Sequence, residues 1–270
     1  MTASDLVSRL HLPAQTQAAL AHTPVPEHGL ELKRSFFQRT PLFQQFAEAD
    51  ESGLSVLRLY LDWLGDTKAQ YDSRNIPEKY FWDSMGDLAI WCEDYLKKHG
   101  TAGFQEWEWV GYSLRLEVIR IGRLQFEPSV LRQPVTLDHG SYPAGTPVLN
   151  VHIPAGEPLR QEEVLASMQQ APDFFRRYFQ RDFSLLHCHS WLLSPALQQL
   201  LPADSRILQF QNLFTLYKTD EQERQTEERV FGFLSENIHA YPENTSLQRA
   251  VKGHLLAGKT VPMGAGVREV

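Results

Sequence analysis

Residues 147–165, which read PVLNVHIPAGEPLRQEEVL, decide how the second half of this chain is expected to fold. The apolar run at 148–153 is typical of a buried strand, and the pattern from residue 161 onwards is typical of a helix. The turn between them leads into a helix N-terminus, where unpaired backbone N–H groups and a partial positive charge suit a phosphate. Only Gly156 is a glycine, and any strand-to-helix joint needs a turn residue, so a plain connection stays open as the alternative.

Strand and helix patterns alternate around this stretch. Residues 161–180 predict a helix, and residues 183–192 and 207–217 predict the strands that follow it. The order strand, helix, strand argues for an α/β unit with at least one parallel pair. Two short strands, 124–127 and 135–137, and a helix over 225–238 complete the prediction for this half.

The first hundred residues predict helices. Leu54, Leu57, Leu61 and Leu64 form an amphipathic stripe at helical spacing. A second helix is expected from Asn75 through Leu96, because Asn can cap a helix and the Pro two residues later is tolerated in its first turn. The basic residues and the glycine of 97–100 are typical of its C-terminal end.

Residues 107–121 carry both periodicities, since apolar side chains recur at helical steps and also alternate. We expect a strand here, because Gly111 and Gly122 bound the segment and strand-like runs follow it. The change of pattern divides the chain into a helical N-terminal domain, 1–103, and a mixed-sheet domain, 104–270. The predicted fold class is therefore α+β or α/β.

The composition argues against several functional classes. The net charge of −7 and the scattered basic residues argue against nucleic-acid binding. No run approaches the roughly 18 apolar residues of a membrane span, and the N-terminus lacks the apolar region of a signal peptide. Cys92 and Cys188 each lie in an apolar run, as reduced buried thiols do. We therefore expect a cytoplasmic protein that binds neither membrane nor nucleic acid.

Residues 186–191, LHCHSW, are the second stretch that bears on chemistry. Alternation along a strand puts His187 and His189 on one face and Cys188 on the other. Three interpretations remain open: a core strand with hydrogen-bonded histidines, a cleft strand that supplies an acid or base, and a metal site completed by His152. We expect no metal, because only two ligands converge and the thiol points away.

Glu127 ends the short apolar strand at 124–126. An acid at this point lines a cleft if the strand borders one, and it is a solvated edge residue otherwise. Both interpretations stay open on the sequence alone.

Several short segments, in this order and spacing, resemble bacterial two-domain GNAT-like acyltransferases with a helical N-terminal domain. The resemblance covers nearly the whole chain. The segments are IPE at 76–78, WDS at 82–84 with Asp87, IGRLQF at 121–126, VLNVHIPAG at 148–156, CHSWLL at 188–193, HLLAG at 254–258 and GAG at 264–266.

The resemblance implies that residues 148–153 form the central GNAT strand and 183–192 its splayed neighbour. The pantetheine arm of acetyl-CoA or another acyl-CoA would lie between them, with the pyrophosphate on the turn that follows. The implied cofactor-binding residues are Val151, Ile153, Ala155, Gly156 and Arg160.

The resemblance also implies a reaction, the direct attack of a small-molecule amine on the thioester. A backbone N–H near Val151 or His152 would polarise the carbonyl where negative charge develops. Glu127, His152 and His189 are the candidate catalytic residues that would take the proton of the ammonium, directly or through water.

The chain departs from the family pattern at two points. Typical members carry Gln/Arg-x-x-Gly-x-Gly/Ala at the pyrophosphate turn, whereas residues 154–160 read PAGEPLR and place an acid, Glu157, beside the expected phosphate. Many members also carry a general-acid Tyr after the second strand, and residues 194–200 contain none. A non-catalytic GNAT scaffold that binds a ligand or partner is therefore the first alternative. A metal-dependent hydrolase built on His152, His187 and His189 is the second, and the oligomeric state stays open.

Overall fold

The computed structural model describes residues 3–137 and 140–270 of the chain. Its contacts divide the chain into two compact units, residues 1–121 and 122–270. The boundary expected from the sequence, after residue 103, stays a prediction. Among the described residues, no helix is both long enough and apolar enough to cross a lipid bilayer.

The first unit is helical, as the sequence predicts. Four aromatic rings pack against one another in its core, with ring centroids 5.0 to 6.0 Å apart: Phe36, Phe43, Tyr60 and Trp63. Its described helices are α1 (Ala3–Ser8), α2 (Ala14–His22), α3 (Gly29–Gln38), α4 (Pro41–Ala49), α5 (Leu54–Ser73), α6 (Glu78–Met85), α7 (Asp87–His99) and α8 (Trp107–Leu114), followed by the short strand β1 (Ile119–Ile121).

Helix α5 confirms the predicted stripe and shows how its start is held. Leu57, Leu61 and Leu64 are buried along one side of the helix. Asp50 accepts hydrogen bonds from the backbone N–H groups of Ser55 and Val56, at 2.8 and 3.0 Å, which satisfies donors that have no partner within the helix.

The helix predicted from Asn75 through Leu96 is instead two helices, because α6 ends at Met85 and α7 restarts after Gly86. Glycine is the weakest helix former after proline, and Asp87 supplies an acid to the new first turn. Asn75 does not cap this segment, since its φ is +57° and the helix begins after Pro77. The predicted C-terminal end is confirmed: Gly100 closes α7 with φ +70°.

The strand predicted over 107–121 is wrong for its first half, which forms α8. Val110, Ser113 and Leu114 are buried together on one helical side. A Cβ on Gly111 would lie 2.9 Å from the Tyr60 hydroxyl oxygen, so glycine here serves close packing and does not mark the edge of a strand. Only the last three residues of the segment extend as β1.

The second unit is a mixed sheet with helices, as predicted. Its described sheet strands run in the order β2-β5-β6-β8-β7, and β5–β6 is the parallel pair. Its strands are β2 (Leu124–Val130), β5 (Pro147–His152), β6 (Leu185–Ser190), β7 (Thr215–Asp220) and β8 (Met263–Glu269), with β3 (Val135–Leu137) and β4 (Gly140–Tyr142) forming a separate hairpin; its helices are α9 (Gln161–Phe179), α10 (Leu197–Leu200), α11 (Arg206–Gln211), α12 (Gln225–Phe231) and α13 (Ser246–Leu256).

Two segments of this unit differ from the prediction. Residues 207–217 are not one strand: they include most of α11, which Ser205 caps by accepting from the Ile207 N–H, and only then the start of β7. The helix expected over 225–238 ends at Phe231, because Gly232 follows with φ +85° and terminates it.

The parallel strands β5 and β6 separate within their own length. They pair at Leu149 with Leu186 and at Asn150 with His187. Beyond these pairs β5 stays bonded to β2 as far as His152, and β6 stays bonded to β8 as far as Ser190. The β5–β6 ladder therefore stops before the C-terminal ends of both strands, at the place where the resemblance implies that they separate.

Gly53 gives a test of the packing in the helical unit. Its φ is +67°, and a Cβ would lie 1.5 Å from the carbonyl oxygen of Phe104. An alanine in the left-handed conformation costs ~1–2 kcal/mol relative to glycine. We expect Gly53→Ala to lower the free energy of unfolding by more than this, because the backbone at Phe104 must also move. Gly29→Ala is the matched control, since nothing lies within 4 Å of its built Cβ. Equal melting temperatures for the two variants would contradict this account.

Candidate active site

The polar side chains of the second unit converge on one face of the sheet, where β5 and β6 begin to separate. Glu127 on β2 is paired with Asn150 on β5, and Asn150 is paired with His187 on β6. Directly paired residues place their side chains on the same face, and residues two apart on a strand share that face. His152 and His189 therefore join this face from the C-terminal ends of β5 and β6.

The Glu127 carboxylate is the anion at the centre of this cluster. It accepts hydrogen bonds from Nε2 of His152 and Nδ2 of Asn150, both at 3.1 Å on the same oxygen. The hydrogen bond from His152, followed by that from Asn150, holds the pKa of Glu127 below its usual value despite partial burial. Because an ionised carboxylate only accepts, Nε2 of His152 carries a proton and points at Glu127.

His187 lies on the other side of Asn150 and is neutral. Burial, with smaller contributions from His189, His152 and Arg132, lowers the pKa of His187 to about 4. Its Nδ1 is 2.8 Å from Oδ1 of Asn150, and its Nε2 is 2.9 Å from the Tyr217 hydroxyl.

The hydrogen-bond directions in this chain of contacts follow from the carboxylate. Asn150 turns its NH₂ group to Glu127, so its oxygen must accept from Nδ1–H of His187. Nε2 of His187 then accepts from the Tyr217 hydroxyl. We refer to Glu127, Asn150, His152, His187 and Tyr217 as the polar cluster.

Two of the three predicted catalytic residues, Glu127 and His152, are in contact. Each side chain is about one-third exposed, at 32% and 31%, so the pair is reachable by a substrate. His189 shares the face and is exposed, but within the described residues no hydrogen bond joins it to the polar cluster. The sequence did not assign roles to Asn150 and Tyr217, and nothing in their local pattern indicated one.

The metal interpretation gains no support from this geometry. Both ring nitrogens of His187 lie at hydrogen-bond distance from Asn150 and Tyr217. Among the described residues, no group of three or more His, Cys, Asp or Glu side chains is placed to hold an ion. Cys188 is fully buried, and burial raises the pKa of its thiol, so it is a core residue and not a nucleophile.

The turn after β5 leads into α9 as predicted. Ala155, Gly156 and Arg160 are exposed there, and Gly156 adopts φ +96° with open space around it. Val151 is buried on the face opposite the polar cluster, so its backbone, not its side chain, borders the gap beside β6. Ile153 is half-buried just past the strand.

The electrostatics at the start of α9 are mixed. Arg160 occupies the N-cap position, but its side chain makes no capping hydrogen bond to the helix backbone. Its guanidinium instead donates a hydrogen bond of 2.9 Å to the Glu163 carboxylate. Glu162 and Glu163 lie in the first helical turn. Arg160, the cation expected beside the phosphate, is therefore already engaged by an acid.

Arg123 is the residue near this turn whose role the sequence did not indicate. Its side chain is buried, and its guanidinium donates to the backbone carbonyls of Glu157, at 2.5 Å, and Pro158, at 3.2 Å. Its own N–H donates to Oγ of Ser167, which donates in turn to the carbonyl of Glu163. The signal available in the sequence was the IGRLQF segment, which was noted only as part of the resemblance.

The neutral state of His187 predicts a pH dependence of stability. The pKa is about 4 in the fold and 6.5 in the unfolded chain, so the unfolded state binds more protons between these values. The stabilisation is fully present above pH 6.5 and is lost as the pH falls towards 4. We expect urea midpoints to fall between pH 7 and pH 5, and less so in His187→Gln. The control is exposed His239→Gln; equal pH slopes in all three proteins would contradict the assignment.

Two family models match this chain and together cover nearly all of it. The profile described as "GNAT-like C-terminal domain" matches residues 118–268, and the one described as "N-acyltransferase N-terminal domain" matches residues 1–116. The search of curated proteins gives no match.

Solved structures similar to this chain are of acyltransferases. One is in complex with decanoyl-CoA and teicoplanin (25% identity, TM-score 0.79), one with decanoyl-CoA (28%, 0.79), and one is a mutant with octanoyl-CoA (25%, 0.80). Each alignment covers 99% of this chain and 87% of the other.

Proposed function

We propose that this chain, which belongs to the family of two-domain acyltransferases with a GNAT-like C-terminal domain, transfers a medium-chain acyl group from acyl-CoA to an amine. The observation that carries the proposal is the end of the β5–β6 ladder after Asn150, directly beside the contact between Glu127 and His152. Neither the non-catalytic scaffold nor the metal hydrolase is favoured by any comparison.

The gap between β5 and β6 is suited to the pantetheine arm. Past Asn150, the backbone of β5 that faces β6 makes no ladder pairs with it in the described strands, while β2 still holds the other edge of β5. An extended ligand with two amide groups can add to such an edge as a strand would. This arrangement would bring the thioester carbonyl to the N–H groups near Val151 and His152.

The chemistry we propose uses His152 as the general base. The amine arrives mainly as an ammonium ion at neutral pH, and it must lose a proton before its nitrogen attacks the thioester carbon. With Nε2–H directed at Glu127, the proton goes to Nδ1 of His152. The Glu127 carboxylate stabilises the imidazolium that results and fixes the ring orientation. The C–N bond then forms and the C–S bond breaks. The attacking nitrogen gives up its second proton as the amide forms, and the departing CoA thiolate takes up one proton and leaves as the thiol.

Glu127 itself is a poor base in this arrangement. Its lowered pKa means that it gives up its proton readily and accepts one reluctantly. We therefore assign Glu127 the role of orienting and stabilising His152. His189 is outside the contact and is not needed for this step.

The donor and acceptor are proposed from the relatives. Octanoyl- and decanoyl-CoA are bound by the similar acyltransferases, so we take medium-chain acyl-CoA ahead of acetyl-CoA as the donor. A similar acyltransferase binds teicoplanin. We therefore propose two classes of acceptor, the small amine expected from the sequence and an amine on a larger glycopeptide.

The first test is CoA release. We expect decanoyl- and octanoyl-CoA to release free thiol only when an amine acceptor is present, measured with a thiol reagent across teicoplanin and a panel of small amines. Acetyl-CoA is the comparison donor and should react more slowly. CoA binding with no amine-dependent thiol release across the panel would support the non-catalytic scaffold and contradict the proposal.

The second test separates the roles within the site. We expect His152→Gln to lower kcat by about 10²–10⁴, the usual range for loss of a general base, with little change in KM for the donor. Glu127→Gln should lower kcat less, because the ring remains but its stabilising charge is lost. Exposed His239→Gln is the control. A larger loss with His189→Gln than with His152→Gln would overturn the assignment.

A further inference from the structure

Arg123 holds the turn on which the donor's pyrophosphate is expected to lie. The turn lacks the glycine-rich pattern that usually shapes this loop, and it contains two prolines and Glu157. Something other than glycine must therefore fix its backbone. The buried guanidinium of Arg123 bonds two successive carbonyls of the turn, those of Glu157 and Pro158.

These bonds set the direction of the remaining backbone groups. A trans peptide unit directs its C=O and N–H to opposite sides. The carbonyl of Pro158 points to Arg123, so the N–H of Leu159 in the same peptide unit points away from it, on the outer side of the turn. The Glu157–Pro158 unit has no N–H, and Arg123 satisfies its carbonyl.

A second contact ties Arg123 to the helix that follows the turn. Its N–H donates to Oγ of Ser167 at 2.8 Å, and Oγ donates to the carbonyl of Glu163 at 2.8 Å, in the first turns of α9. Gly122 permits this approach: its φ is +65°, and a Cβ there would lie 2.8 Å from the same Oγ. One residue thus fixes both the turn and the start of the helix.

We infer that Arg123 is a positioning residue for the acyl donor, and that its guanidinium holds residues 157–160 so that the outward N–H of Leu159 and the N–H groups of the first turn of α9 receive the pyrophosphate. This inference rests on the proposed function. It extends that function by assigning donor recognition to a buried arginine that touches the protein backbone and not the thioester.

The inference predicts that Arg123 matters only for donors that carry a pyrophosphate. In Arg123→Lys we expect the Kd of CoA, measured by calorimetry, to rise about 10- to 100-fold, because two donated hydrogen bonds are lost while the charge is kept. The kcat/KM for decanoyl-CoA should fall by a similar factor. The kcat/KM for decanoyl-pantetheine, which lacks the pyrophosphate, should change less than threefold.

The comparison of two donors within one variant removes the effect of partial unfolding, because a smaller folded fraction lowers both rates equally. Arg123→Ala is the second variant, and exposed Arg177→Ala on α9 is the charge-matched control, which should leave all values unchanged. An equal loss with both donors, or an unchanged Kd for CoA, would overturn the inference. Failure of the wild-type protein to bind CoA would instead overturn the proposed function, and it is seen before any substitution is made.

Discussion

The parallel pairing of β5 and β6, which stops after Asn150 and His187, is the constraint on which the proposed site depends. Parallel strands need a crossover, and here α9 supplies it, so the end of β5, the following turn and the start of α9 are forced to the same edge of the sheet. Each strand keeps its other neighbour, which allows the gap to open without loss of the sheet. The separation therefore exposes backbone groups at the place where the turn and helix start are already gathered.

The polar cluster occupies the point where the strands part. A charged carboxylate at Glu127 fixes the amide of Asn150, which fixes the tautomer of His187, which accepts from Tyr217. Such a chain is satisfied in only one set of orientations, because the carboxylate cannot donate. The same carboxylate also orients the partly exposed ring of His152, which we assign as the base.

The sequence correctly predicted the elements that are bounded by glycine or proline or that show a single hydrophobic periodicity. The strand, turn and helix of 147–165 and the stripe of α5 are of this kind. It failed at 107–121, where apolar residues fit both periods and the first half forms α8, and at 207–217, where the predicted strand includes most of α11. In α8 the deciding contact is the approach of Gly111 to Tyr60, which local pattern does not contain.

The site was predictable where the residues lie on neighbouring strands. Glu127 and His152 were two of the three candidate bases that the resemblance implied, and pairing of β2 with β5 brings them together. Tyr217 and Arg123 could not be found in this way. Tyr217 reaches His187 from a strand that is not adjacent to β6, and Arg123 reaches the turn through a buried side chain from more than thirty residues earlier.

The central claim, that acyl-CoA enters between β5 and β6, is tested most directly by backbone amide hydrogen exchange with and without decanoyl-CoA. The account predicts that saturating decanoyl-CoA slows exchange in peptides that cover residues 150–153 and 187–190, and in those that cover the turn and first helical turn at 156–163. Protection confined to the helical unit, or unchanged exchange at these strands despite measured binding, would contradict it.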